Sequence, residues 1–118
     1  MRRSVFAVLA VASAVSLSAC ESMITGGPLL RPGEPTGVIE VANRSSNTIH
    51  NVAISDCDAS TYGLNRLPSD MEIPPGNSYR FTVSAGCWDV DAGSLGVGEA
   101  RQRMQVAAGS GVRYTVTD

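Results

Sequence analysis

Between Tyr79 and Ser84 apolar and polar residues alternate one for one, with Tyr79, Phe81 and Val83 set against Arg80, Thr82 and Ser84. Successive side chains of a strand point to opposite faces, so this segment has one face for a core and one for water. The same period of two runs through the chain from Gly37 onward. Residues 38–42 and 48–54 are β-branched runs separated by Asn43-Arg44-Ser45-Ser46-Asn47, a polar turn that predicts a first hairpin. Residues 55–69 read as a longer irregular segment, residues 71–73 as a short strand, and Pro74-Pro75-Gly76-Asn77 as a tight turn. No amphipathic helix of useful length is present.

After Ala85-Gly86, Trp88, Val90 and Ala92 alternate with Cys87, Asp89 and Asp91, and further on Ala100, Gln102, Met104 and Val106 alternate with Arg101, Arg103 and Gln105. Pairing Asp89 with Arg103 and Asp91 with Arg101 puts Trp88 opposite Met104 and Ala92 opposite Ala100. One register then matches charge on one face and apolar contact on the other, each pair contributing about 0.2–1 kcal/mol. Gly109-Ser110-Gly111 turns again before Val112, Tyr114 and Val116. Short strands with turn signals every eight to twelve residues predict an all-β chain, a single small antiparallel β-sandwich of six or seven strands. An immunoglobulin-like or transthyretin-like shape is favoured. The immunoglobulin pattern of a Trp midway between two Cys is absent, because Trp88 directly follows Cys87.

Ahead of the folded region, Arg2 and Arg3 precede an apolar run over residues 5–17, the layout of a secretory signal peptide and too short for a spanning helix. The run closes on Leu17-Ser18-Ala19-Cys20, which resembles the lipobox of bacterial lipoproteins. That resemblance implies cleavage between Ala19 and Cys20, a diacylglyceryl thioether on Cys20 and a third acyl chain on the new amino terminus. Two or more acyl chains hold a domain stably at a membrane where one does not. In lipoproteins of Gram-negative bacteria an Asp directly after the Cys retains the protein at the inner membrane. Glu21 stands there instead, which favours the periplasmic face of the outer membrane. The expected organisation is a signal peptide over residues 1–19, a lipid-anchored flexible linker over residues 20–36 and a sandwich domain over residues 37–118. Gly26-Gly27-Pro28 and Arg31-Pro32-Gly33-Glu34-Pro35 prevent a regular element in the linker. As a coil, residues 21–36 span roughly 20–25 Å, and about 50 Å pulled straight.

Without residues 1–19 the chain keeps seven Arg against eleven Asp plus Glu, a formal charge of −4, and it has no Lys. Nucleic acid and anionic bilayer surfaces both need clustered positive charge, so neither is an expected partner of the domain. With Cys20 assigned to the lipid, Cys57 and Cys87 remain as an expected disulfide in an oxidising compartment, the alternative being two buried thiols. No Cys-x-x-Cys supports a redox role.

A wider resemblance rests on Ile39-x-Val41-x-Asn43, Ile49-x-x-Val52-x-Ile54-Ser55, Gly63-x-Asn65-x-Leu67, Ile73-Pro74-Pro75-Gly76-x-Ser78-x-x-Phe81 and Cys87-Trp88-Asp89-Val90. This series is similar to a family of small exported bacterial β-sandwich proteins without an established activity, and it implies fold and compartment rather than mechanism. Ser110-Gly111-Val112-Arg113-Tyr114 is similar to the Ser-Gly-x-x-Tyr motif of membrane-bound lysozyme inhibitors, although a turn accounts for the same residues.

Chemistry-bearing constellations are sparse. Asp56, Asp58, Asp70 and Glu72 could offer oxygens to Ca²⁺, but no D-x-D-x-D-G loop is present and no metal or cofactor is expected. His50 is the single histidine, and no G-x-S-x-G elbow accompanies it. The expected function is therefore a non-enzymatic envelope module, anchored to the membrane through Cys20, that presents its sandwich to a protein or glycan. A small inhibitor resembling the lysozyme inhibitors, or a small enzyme, is the alternative. Tyr62, Leu64, Arg66 and Leu67 give the 58–70 segment the aromatic, apolar and Arg content of interface centres, which makes it the expected contact surface. In the competing reading Leu64 and Leu67 cap the open end of the sandwich.

Overall fold

The computed structural model describes residues 26–61, 63–94 and 98–118. Six strands form two three-stranded sheets packed face to face: β1 (Thr36–Asn43), β2 (Asn51–Asp56), β3 (Ser78–Ser84), β4 (Gly86–Ser94), β5 (Gly98–Val106) and β6 (Gly111–Val116). One sheet has the order β3-β1-β6 and the other β2-β4-β5. The inward residues the alternation predicts form the core, with Ile39, Val41, Val52, Ile54, Val83, Trp88 and Val90 all fully buried. Trp88 is the largest of them, and its indole N–H donates to the Ser84 carbonyl at 2.8 Å.

The β4–β5 hairpin has the register the charges predict: Asp89 faces Arg103, Asp91 faces Arg101, Trp88 faces Met104 and Ala92 faces Ala100. Arg103 binds Asp89 through two nitrogens, at 2.9 and 3.1 Å. The predicted turn at residues 74–77 also forms. Asn77 N–H donates to the Pro74 carbonyl at 3.1 Å, with Gly76 at φ +85°, the left-handed position a type II turn reserves for glycine.

The predicted first hairpin does not form. β1 pairs antiparallel with β3 and parallel with β6, while β2 lies in the opposite sheet beside β4. Asn43 explains the arch that carries the chain from one layer to the other. Its side chain is fully buried; the amide nitrogen donates to the carbonyls of Asn47 and Ile73 at 2.8 Å each, and the oxygen accepts from the Ser45 N–H at 3.0 Å. The bonds to Ser45 and Asn47 shape the turn itself, and the bond to the Ile73 carbonyl ties it to the segment ahead of β3, so the buried amide is satisfied on both ends. Gly109-Ser110-Gly111 likewise turns the chain between sheets instead of closing a hairpin. β5 ends at the pole of the sandwich where β1 begins, so β6 starts there too and must run parallel to β1. Residues 107–110 reach β1 only because position 37 is glycine. A Cβ there would lie 2.8 Å from both the Ala107 and Ser110 carbonyl oxygens. The predicted strand at residues 71–73 reduces to one bridge, Ile49 with Ile73.

The expected linker is shorter than its composition predicts. Residues 26–35 contain no strand, but they lie against the domain. The Gly26 carbonyl accepts from Asp56 N–H at 3.0 Å, the Leu29 carbonyl from Ser84 N–H at 2.7 Å, and the Pro35 carbonyl from Ala85 N–H at 2.8 Å. Arg31 holds the middle of this strap. Its guanidinium reaches Asp56 at 3.0 Å, Glu34 at 2.7 Å and the Ala85 carbonyl at 3.2 Å, and it lies over the Trp88 ring, 5.0 Å from the centroid.

Candidate functional site

β2 ends in a turn that the disulfide locks to the neighbouring strand. The bond joins Cys57 and Cys87, with Cα atoms 5.5 Å apart, immediately beyond the last β2–β4 pair, Asp56 with Trp88. Asp56 then shapes the ridge that follows. Its backbone carbonyl accepts from Ala59 N–H at 2.9 Å and its Oδ1 from Asp58 N–H at 3.0 Å, while Oδ2 takes the Arg31 ion pair. Asp56 is thus committed to a turn and a cation, as capping Asp residues commonly are. Among the described residues no three His, Cys, Asp or Glu side chains are placed to hold a metal ion.

Residues 56–61 separate two depressions. Between the ridge and the strap residues Gly26, Gly27, Pro28 and Arg31 lies one of about 420 Å³, large enough for a side chain or a sugar ring. On the other flank, Ser55 and Asp89 of the β2-β4-β5 sheet face Ala59, Ser60 and Thr61 across a smaller space of about 190 Å³. The larger depression is lined by Gly26, Gly27, Pro28 and Ala59, with the Arg31 guanidinium, Asp56, Asp58 and Ser60 as its polar groups, whereas Ser55, Ser60, Thr61 and Asp89 make the smaller one a space for a hydrogen-bond donor. At the opposite pole an opening of about 230 Å³ has Ile49, Ala92, Ala100 and Val116 inside and Ser45, Asn47, Ser94 and Asp118 around it.

The four residues expected to form a contact surface are not brought together as one patch. Leu67 is a core residue, 6% exposed, which is the capping role. Arg66 is half-buried, and its guanidinium donates to the Ile54 carbonyl at 2.9 Å and also to the Gly27 carbonyl, tying the strap to β2. Burial lowers its pKa from the usual guanidinium value. Leu64 is 57% exposed and presented to solvent. Tyr62 lies outside the described residues, as does Cys20. Asn65, which the Gly63-x-Asn65-x-Leu67 series includes without a role, fastens this segment to β2. Its Oδ1 accepts from Val52 N–H at 2.9 Å and Leu67 N–H at 3.1 Å. The motif marks the residue, but only the fold shows which backbone groups its side chain reaches.

Other candidates are accounted for. His50 stands just ahead of β2 at the pole opposite the ridge, 3.6 Å from Glu72. Tyr114 of the Ser-Gly-x-x-Tyr motif is buried in the core, and burial raises its phenol pKa. Ser110 and Arg113 remain exposed, Arg113 pairing with Glu40 at 3.2 Å.

Asp91 departs from the expected exposed charge pair. Its side chain is 7% exposed, Oδ2 meets Arg101 at 3.2 Å, and the buried Oδ1 has no hydrogen-bond partner. Burial first, and then the hydrogen bond with Glu99, push this carboxyl above the ordinary range, while Arg101 pulls it down. The folded protein therefore binds this proton more tightly than the unfolded chain. Stability from this group is present below the ordinary carboxylate range and declines as pH rises through the raised folded value. Asp91→Asn is expected to flatten that decline, remaining within about 1 kcal/mol of wild type at pH 4 and at least as stable at pH 7. Thermal denaturation from pH 3 to 8 measures this, and a variant destabilised more at pH 7 than at pH 4 contradicts it.

No protein-family model matches this chain, and no curated protein matches it.

Proposed function

We propose that this protein is a lipid-anchored module of the bacterial cell envelope that binds a protein or glycan partner and carries out no chemistry of its own. The observation that carries the reading is the ridge over residues 56–61. It is braced by the Cys57–Cys87 disulfide and by Arg31, and flanked by depressions on both sides. A surface held this rigidly loses little ordering entropy on binding. The rims present Asp58, Ser60 and Thr61, acceptors suited to the hydrogen-bond donors of a partner, while Asp89 is taken up by Arg103. Catalysis needs a nucleophile, a base and an orienting group in reach of one another. The single histidine lies at the other pole, beside Glu72. Anchorage through Cys20 at the periplasmic face of the outer membrane is part of the same proposal, and it rests on the Leu17-Ser18-Ala19-Cys20 resemblance.

Detergent extraction and affinity purification of the full chain, compared with Ser60→Arg and with Asn77→Arg at the opposite pole, tests the site. Ser60→Arg is expected to cut recovery of a specific partner at least tenfold, about 1.4 kcal/mol, while Asn77→Arg leaves it unchanged. Equal recovery by all three proteins places binding elsewhere.

A further inference from the structure

We infer that the pole carrying the ridge is the membrane-facing surface of the domain, held within about 20 Å of the lipid attachment, and that the candidate site works in the gap beside the bilayer. This rests on the lipid-anchor reading and goes beyond it, because an anchor with a long free linker would leave the domain without a preferred face.

The strap carries the argument. Residues 26–35 are held by the Gly26, Leu29 and Pro35 carbonyls, by the Arg31 N–H bonded to Ser84 Oγ at 2.7 Å, and by the Arg31 guanidinium. The chain is therefore held to the domain from at least Gly26, next to Asp56, and not only from Thr36. Five residues separate Gly26 from Cys20. Whatever their conformation, six peptide units reach at most about 20 Å. The reach of about 50 Å expected from composition shrinks by more than half, since the other ten residues are used on the domain.

Strand direction then defines which end is far from the membrane. Asp56, Ser84, Gly86 and Val106 are the ends of β2, β3, β4 and β5 at the strap pole, and Asn43, Ser78, Ser94 and Gly98 lie at the other. Strands of this length put the poles roughly 25 Å apart. On so short a tether the far pole approaches the bilayer only if the domain lies flat. The larger depression beside residues 56–61 shares Gly26 and Arg31 with the strap, and the smaller one shares Ala59 and Ser60 with the larger, so both stay at the pole nearest the acyl linkage. The whole protein reaches about 45 Å from the bilayer, the sum of tether and domain. A partner must come within that range.

The test uses the full-length protein purified from membranes, its lipid confirmed by intact mass, and reconstituted in phosphatidylethanolamine/phosphatidylglycerol vesicles carrying an acceptor dye on the headgroups. A donor dye is placed on Ala108→Cys at the strap pole or Asn77→Cys at the far pole, both exposed, with the native disulfide left oxidised. Energy transfer is expected to be roughly twofold or more higher from position 108, given poles separated by roughly 25 Å. Adding Arg31→Ala with Ser84→Ala, which removes the central strap contacts, should narrow that difference. Equal transfer from both positions on lipidated protein overturns the inference and leaves the anchor standing. A mass without the lipid overturns both.

Discussion

Replacing Cys20 with Ala is expected to abolish incorporation of labelled fatty acid completely and to leave a longer species that still carries residues 1–19. The thioether forms on the Cys sulfur, and the processing that follows acts on the lipidated precursor, so one substitution removes both steps in the proposed reading. Retention changes with them. Two or three acyl chains bind a bilayer stably, whereas the domain itself has the wrong charge to hold an anionic surface, with eleven acids against seven Arg after residue 19. The variant should leave the membrane fraction unless its uncleaved apolar segment keeps it there. Comparing the mobility of the two species separates those cases. Wild-type protein that takes up no fatty acid ends the lipoprotein reading.

The Cys57→Ala/Cys87→Ala protein should lose about 3–4 kcal/mol of stability, the loop-entropy value for a closed segment of this size. The bond spans 30 residues and links neighbouring strands. For a domain of under a hundred residues each kcal/mol corresponds to about 4–8 °C, so the melting temperature should fall by roughly 12–32 °C. So small a domain has a limited core, and a loss of this size is a large part of its total stability. Because Cys57 is part of the ridge, the same variant should lose partner recovery before it unfolds. Differential scanning calorimetry with and without reductant measures the first effect. A shift below about 3 °C would mean that strand pairing, the Asp56 turn and Arg31 hold residues 56–61 without the disulfide.

Much of the fold was legible because its determinants are local. Alternation assigns each side chain of β3, β4 and β6 to a face, and opposite charges at matching intervals set the β4–β5 register within a hairpin. The Pro74-Pro75-Gly76-Asn77 turn needs only the φ preferences of its own residues. The Cys pair needed no geometry, since two Cys remained for one bond.

The candidate site was legible only as a region. Composition pointed to residues 58–70, but it could not distinguish Leu64, exposed, from Leu67, buried, because both are Leu in the same loop. Arg66 has the residue type of an interface centre, yet its guanidinium binds the carbonyls of Gly27 and Ile54 inside the molecule. Ser60 and Thr61 carry no sequence signal; they line a depression because the β2-β4-β5 sheet happens to lie behind them.

The sequence by itself determined the strands, their faces, one hairpin register, one turn and the disulfide, all consequences of backbone preference and short-range pairing. Only the tertiary structure decided that β1 takes β3 and β6 as neighbours instead of β2, that residues 26–35 lie on the domain, and that Asp91 is buried. Those outcomes depend on contacts between residues far apart in the chain. The parallel β1–β6 pair follows from the pole at which β5 ends, and the strap from an Arg31 that finds Asp56 and Trp88 only once the sandwich has closed. A Pro- and Gly-rich segment has no regular structure of its own, so its place is set by the surface it meets.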